Sequence, residues 1–96
     1  MDTIVAGLNG GKSAADFKAK DYSPYCSIMD QGGELIVHSA FAGMNVQRSA
    51  PFIYNEISKG TVDGVWVEYP VRGKLTHVYV KKTINNLFVS SGYIKK

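Results

Sequence analysis

From residue 60 to residue 92 the hydrophobic pattern carries three strand-like runs, 62–69, 74–82 and 87–94, rich in Val, Tyr, Trp and Phe. Two short connections join them, Pro70-Val71-Arg72-Gly73 and Thr83-Ile84-Asn85-Asn86. Parallel neighbours need a crossover of about a dozen residues or more, so the pattern predicts three consecutive antiparallel strands, a meander. Within 74–82 the period of two places Leu75, His77, Tyr79 and Lys81 on one face and Thr76, Val78, Val80 and Lys82 on the other. The pattern alone does not say which face is inside.

Upstream, Asp2 is placed to cap a short helix running to Leu8, which Asn9-Gly10-Gly11 stops. Ser13 caps a second short turn through Phe17. The polar Lys18-Ala19-Lys20-Asp21 then leads to Ser23-Pro24, with the proline suited to a strand's first residue. Residues 25–30 and 34–39 flank Gln31-Gly32-Gly33, whose glycines tolerate positive φ, and this reads as a β-hairpin. In 40–60, Gly43 and Asn45 mark loop, Ser49-Ala50-Pro51 marks a helix start and Gly60 its stop. Ile53 and Ile57 are four apart beside Phe52, an apolar stripe suited to lie across the sheet. The predicted order is short helices, β, β, helix, β, β, β: an α+β fold with a five-stranded antiparallel sheet.

Ninety-six residues suit one domain, 1–96, with a modest core and one small pocket at most. Apolar residues at 45% and charged residues at 20% exclude a disordered or fibrous chain. The net charge is +3, with Lys and Arg scattered except at Lys81-Lys82 and Lys95-Lys96, so no nucleic-acid partner is expected. Cys26 is the sole cysteine, which excludes an internal disulfide and predicts a buried, inert thiol at an inner strand. His38 and His77 lack the spacing of a zinc site, and neither a metal nor a cofactor is expected.

Catalysis has no support: there is no Gly-x-Ser-x-Gly elbow and no Cys-His signature. The run Gly7-Leu8-Asn9-Gly10-Gly11-Lys12-Ser13 ends like a phosphate loop, but its first glycine is one position too close and no strand precedes it. No run of 18 apolar residues occurs, so no membrane-spanning helix is expected. The N-terminus lacks the basic flank and apolar stretch of a signal peptide, which leaves a cytosolic protein or one that begins after a removed signal.

Gly64-Val65-Trp66-Val67-Glu68-Tyr69, then Lys74, Tyr79-Val80-Lys81 and Val89-Ser90-Ser91-Gly92-Tyr93, closely resembles the C-terminal half of single Cache domains. These are PAS-like sensor domains with helices on one face of a five-stranded antiparallel sheet. Phe17, Tyr25, Asp30 with Gly32-Gly33, and His38 resemble the same family's first hairpin, so the resemblance spans roughly residues 17–94. It implies an extracytoplasmic, periplasmic or secreted bacterial domain that senses small organic acids or amino acids for signal transduction or chemotaxis. Such domains occur in chemoreceptors and sensor kinases and as free-standing proteins. The long N-terminal helix of tethered members is missing or very short here, and no membrane helix follows Lys96. Both departures favour a free-standing domain or a piece of a receptor, with a homodimer or a membrane receptor as partner.

The candidate ligand-binding residues are Tyr79, Lys81, Tyr54, Trp66 and His38. If Tyr79 faces the crossover helix, its hydroxyl and the Lys81 ammonium would bind a carboxylate beneath Tyr54. The plainer reading makes Tyr79 core filler and Lys81 a solvated strand end. Trp66, beside Glu68 by alternation, is either a pocket wall or a packing anchor. His38, at a strand end, is a ligand donor, a pH sensor or a structural histidine. Six tyrosines, four phenylalanines and one tryptophan also suit the rival function, a protein-interaction module without a small-molecule ligand. A closed cavity between sheet and crossover helix would favour sensing, and a flat apolar patch on the opposite face would favour interaction.

Overall fold

The computed structural model describes residues 2–17, 26–38, 41–71 and 73–94. Helix α1 (Asp2–Asn9) and a 3-10 turn (Ala14–Asp16) precede β1 (Cys26–Met29) and β2 (Leu35–Val37). Helices α2 (Val46–Ser49) and α3 (Pro51–Ile57) follow, then β3 (Val65–Val71), β4 (Lys74–Lys82) and β5 (Phe88–Ile94). The five strands form one antiparallel sheet in the order β2-β1-β5-β4-β3. The meander and the first hairpin form as the sequence predicts, and β5 takes the middle place. The expected strand start at Tyr25 and the polar run 18–21 lie outside the described residues.

Boundaries shift for physical reasons. Pro70 and Val71, read above as loop, belong to β3. That is tolerated because β3 is an edge strand, where a missing N–H breaks no ladder. The strand begins at Val65 rather than at residue 62, since Gly64 has a φ of 98° and ends a turn. The crossover is two helices rather than one beginning at Ser49. Asn45 caps α2 by accepting the Arg48 N–H at 3.2 Å, and Ala50 with Pro51 then resets the axis for α3. Ser13 makes no side-chain cap at the 3-10 turn.

The first hairpin is tied to the crossover. Asp30 Oδ1 accepts the N–H groups of Gly32 and Glu34, both at 2.9 Å, which closes the loop. Asn45 Nδ2 donates to the Gly32 carbonyl at 3.2 Å, and the Tyr54 hydroxyl donates to that of Gln31 at 2.8 Å. Of the two loop glycines it is Gly33 that takes positive φ, 93°, and a Cβ there would stand 2.8 Å from the Gln47 nitrogen.

The sheet carries a core on each face. Met29, Leu35, Val46, Ile57, Val67, Val78, Val80 and Phe88 bury the face under α2 and α3, with Ile53 and Tyr69 packed against them. Ile4, Leu8, Ala14, Cys26, Ile28, Val37 and Val89 bury the other. The neighbours Phe88 and Val89, and likewise Ile28 and Met29, fall in different clusters, as the period of two requires. The expectation of all helices on one face is therefore corrected: α1 packs opposite α3. Cys26 is buried within the α1 core, on a strand paired on both sides.

Candidate functional site

Two surface features stand out, one on each side of edge strand β3. The first is an open groove of about 280 Å³ between α3 and β3, lined by Phe52, Asn55, Glu56, Glu68, Tyr69 and Pro70. Residues 52, 55 and 56 are spaced i, i+3, i+4 and so project from one side of α3. The three β3 residues are consecutive, so they supply both faces of the strand and the groove wraps its edge. Tyr69 packs against the α3 core, and burial pushes its phenol up to about 12, which keeps it a neutral wall. Glu56 is ion-paired with Lys59 one turn on, and Glu68 Oε1 lies 3.9 Å from His77 Nδ1.

The second feature is an aromatic patch on the α1 side of the sheet, where α1 covers β1 and β5 but leaves β3 and β4 open. Register pairs Trp66 with Tyr79, and Glu68 with His77 and His77 with Tyr93 across three strands. The Trp66 ring centroid is 4.6 Å from that of His77, 5.1 Å from Tyr79 and 6.3 Å from Tyr93. The Tyr93 hydroxyl lies 3.4 Å from His77 Nδ1. Trp66 is 52% exposed and Tyr93 53%, so the patch is a platform of contacting rings rather than a cleft.

The structure separates the five residues the sequence proposed. Tyr79, Lys81 and Trp66 share the α1 side of the sheet, whereas Tyr54 sits on α3 over the opposite face and turns its hydroxyl to the hairpin loop. The expected carboxylate pocket of Tyr79 and Lys81 beneath Tyr54 is thus not formed. Tyr79 donates instead to the Asp63 carbonyl at 3.0 Å, and its ring occupies the space where Gly64 would carry a Cβ. Lys81 is half-buried and bridges Thr61 through its backbone. Trp66 is neither core anchor nor pocket wall but the centre of the exposed patch.

His38 lies one residue beyond β2, and its Nδ1 accepts the Phe41 N–H at 3.0 Å while the two rings contact at 5.2 Å. Desolvation by burial lowers its pKa from 6.5, consistent with a nitrogen that must stay unprotonated to accept. The unfolded chain therefore takes up a proton that folded His38 resists. The stability linked to it is present above about pH 6.5 and is lost as the pH falls through the lowered folded value. Urea melts between about pH 7.5 and 5 should show this loss, and His38→Asn, which keeps an acceptor but does not titrate, should flatten that limb.

The groove escaped the sequence reading because Pro70 was placed in a loop and because a helix–edge groove depends on how α3 crosses the strand. The patch was half visible: alternation groups Trp66 with Glu68 and His77 with Tyr79. Only the β4–β5 register adds Tyr93. No group of three or more potential metal ligands occurs among the described residues. No helix among them is long and apolar enough to cross a membrane. No protein-family model, curated protein or solved structure matches this chain.

Proposed function

We propose that this domain is a PAS-like, Cache-type sensor that recognises a small molecule and performs no chemistry of its own. The observation that carries the reading is the strand order β2-β1-β5-β4-β3 with the β2-to-β3 crossover, α2 and α3, laid over one face. Two strands, a helical crossover and a three-stranded meander in one antiparallel sheet are what the resemblance of residues 17–94 implies, although α1 lies on the face opposite α3. Fold alone does not fix function, so the reading also draws on the open groove between α3 and β3, which is not the closed cavity between sheet and crossover helix that would favour sensing most directly. Organic acids and amino acids are the first classes to screen. A periplasmic or extracellular setting and a receptor or homodimer partner belong to the same proposal.

A thermal-shift screen tests it, because a ligand that binds only the folded state stabilises by RT ln(1 + [L]/Kd), about 2.7 kcal/mol at a hundredfold excess over Kd. For a domain of this size that raises the melting temperature by roughly 10 °C or more. A flat response across acids, amino acids and amines would refute small-molecule sensing.

The aromatic patch favours a second reading, a protein-interaction module. Trp66, Tyr93 and the exposed Leu75 lie on a sheet face that α1 leaves open, and aromatic residues are enriched at protein interfaces. Under that reading Trp66→Ser with Tyr93→Ser abolishes partner capture or self-association and leaves every small-molecule response unchanged.

A further inference from the structure

We infer that β3 pairs edge to edge with β3 of a second copy of this chain, giving a two-fold dimer whose antiparallel sheet continues from one copy into the other. The inference gives a surface to the homodimer partner named above and rests on the two edges of the sheet, not on a bound ligand. The two edges differ. On the outer side of β2 the Leu35 N–H donates to the Met44 carbonyl at 2.8 Å, the Leu35 carbonyl accepts the Gly43 N–H at 2.7 Å, and Glu34 bridges Asn45. That loop closes β2 to another strand. β3 ends the sheet with β4 as its one strand neighbour among the described residues. Its sequence, Val65-Trp66-Val67-Glu68-Tyr69-Pro70-Val71, carries no lysine, a usual guard of an exposed edge. With β2 closed only like edges can meet, so the assembly is a closed dimer and not a growing sheet.

The side chains choose the register. A two-fold axis through Glu68 would set two carboxylates directly opposite each other, which is destabilising. An axis through Tyr69 would bring Pro70, which has no N–H, into the middle of the new ladder. An axis through Val67 avoids both. It sets Val67 against its own copy and Val65 against Tyr69 on the α3 side, where all three already pack toward the core. On the other face it sets each Trp66 ring beside the Glu68 of the second copy, and Pro70 falls at the margin of the paired stretch.

The area suits a reversible dimer. At about 3.3 Å per residue, the seven residues of β3 make a contact about 23 Å long. Phe52 on α3 is half exposed on one side and Trp66 on the other, and these layers deepen the contact to roughly 20 Å. Each copy then buries roughly 500 Å², or about 1,000 Å² for the pair, the floor for a specific interface. Such a dimer forms and parts with concentration.

The test is sedimentation velocity of the whole 96-residue protein from roughly 5 µM to roughly 1 mM, with amide hydrogen exchange at both ends of that range. The dimer fraction should rise with concentration, and exchange at β3 amides should slow by about fivefold. Trp66→Glu places two carboxylates opposite each other at two symmetric sites and should weaken dimerisation at least about tenfold. Trp66→Lys places opposite charges there and should keep the dimer, and Glu68→Lys should rescue Trp66→Glu. Trp66 is 52% exposed, so these variants keep the fold, which their melting temperatures check. Equal loss of the dimer in Trp66→Glu and Trp66→Lys overturns the inference, because the contact then runs through the aromatic rings. A dimer without slower exchange in β3, or assemblies larger than a dimer, also overturns it. A monomer across the whole range overturns it and leaves the thermal-shift response to ligands, and with it the sensing reading, untouched.

Discussion

Valine in place of Gly92 will lower the melting temperature by roughly 10–20 °C. Gly92 pairs with Val78 across the β4–β5 ladder, and a Cβ built on it would stand 2.7 Å from the His77 carbonyl oxygen and 2.7 Å from Val78 Cγ2. The Val78 Cα would lie at 3.1 Å. Two of these three atoms are backbone, so no rotamer change relieves the contact and the two strands must separate. Overpacking of this kind costs about 1–3 kcal/mol, and a displaced ladder adds to it. At about 4–8 °C per kcal/mol for a domain of this size, the shift falls in the stated range. Thermal melts followed by circular dichroism check it. Val78→Ala in the same chain should restore little, because the carbonyl clash persists, and an unaltered melt would show that β4 and β5 are not locked at this pair.

Leu8→Ala should cost about 2–5 kcal/mol, the range for emptying a fully buried leucine site. Leu8 is 0% exposed and packs with Ile4 against Cys26, Ile28 and Val89. An eight-residue helix has little stability of its own in water, so α1 persists through this packing and through its C-terminal ties. Those ties are the Asn9 side chain accepting the Ile84 N–H at 2.9 Å and Asn85 donating to the Leu8 carbonyl at 3.4 Å. Loosening α1 uncovers the thiol beneath it. In the wild type Cys26 should resist a thiol reagent under native conditions, and in Leu8→Ala it should react much faster, alongside a melting temperature lowered by roughly 10 °C or more. Rapid labelling of the wild type would mean that α1 does not cover β1.

The strand order of the second half was legible because two short connections leave no room for anything but a meander. The hairpin was legible for a similar reason, since Gly33 is needed at its positive φ. Ile53 and Ile57 marked the inner stripe of α3 correctly, but Phe52, read with them, is 50% exposed. The sidedness of the sheet was not legible. Alternation split β4 into two sets without saying which faces inward, and the carboxylate-pocket reading put Tyr79 and Lys81 under α3 beside Tyr54. In the fold the β-branched Val78 and Val80 pack there, and the rings stack on one another outside. The face that α1 takes depends on a connection whose course no local pattern encodes. Pro70 hid the groove for a related reason: a proline reads as loop unless one knows that its strand is at an edge, and edge position is a property of the whole sheet.

β5 lies between β1 and β4, with Phe88 turned to one core and Val89 to the other. A slip of one residue along either neighbour would exchange those two side chains, driving a phenylalanine toward Leu8 and leaving a valine to fill the space beneath Ile57. Both mismatches would arise in the same step, so neither layer could tolerate the shift by repacking while the other held. The alignment of the middle strand is thus checked twice, once by the helix that precedes the sheet and once by the pair that crosses it.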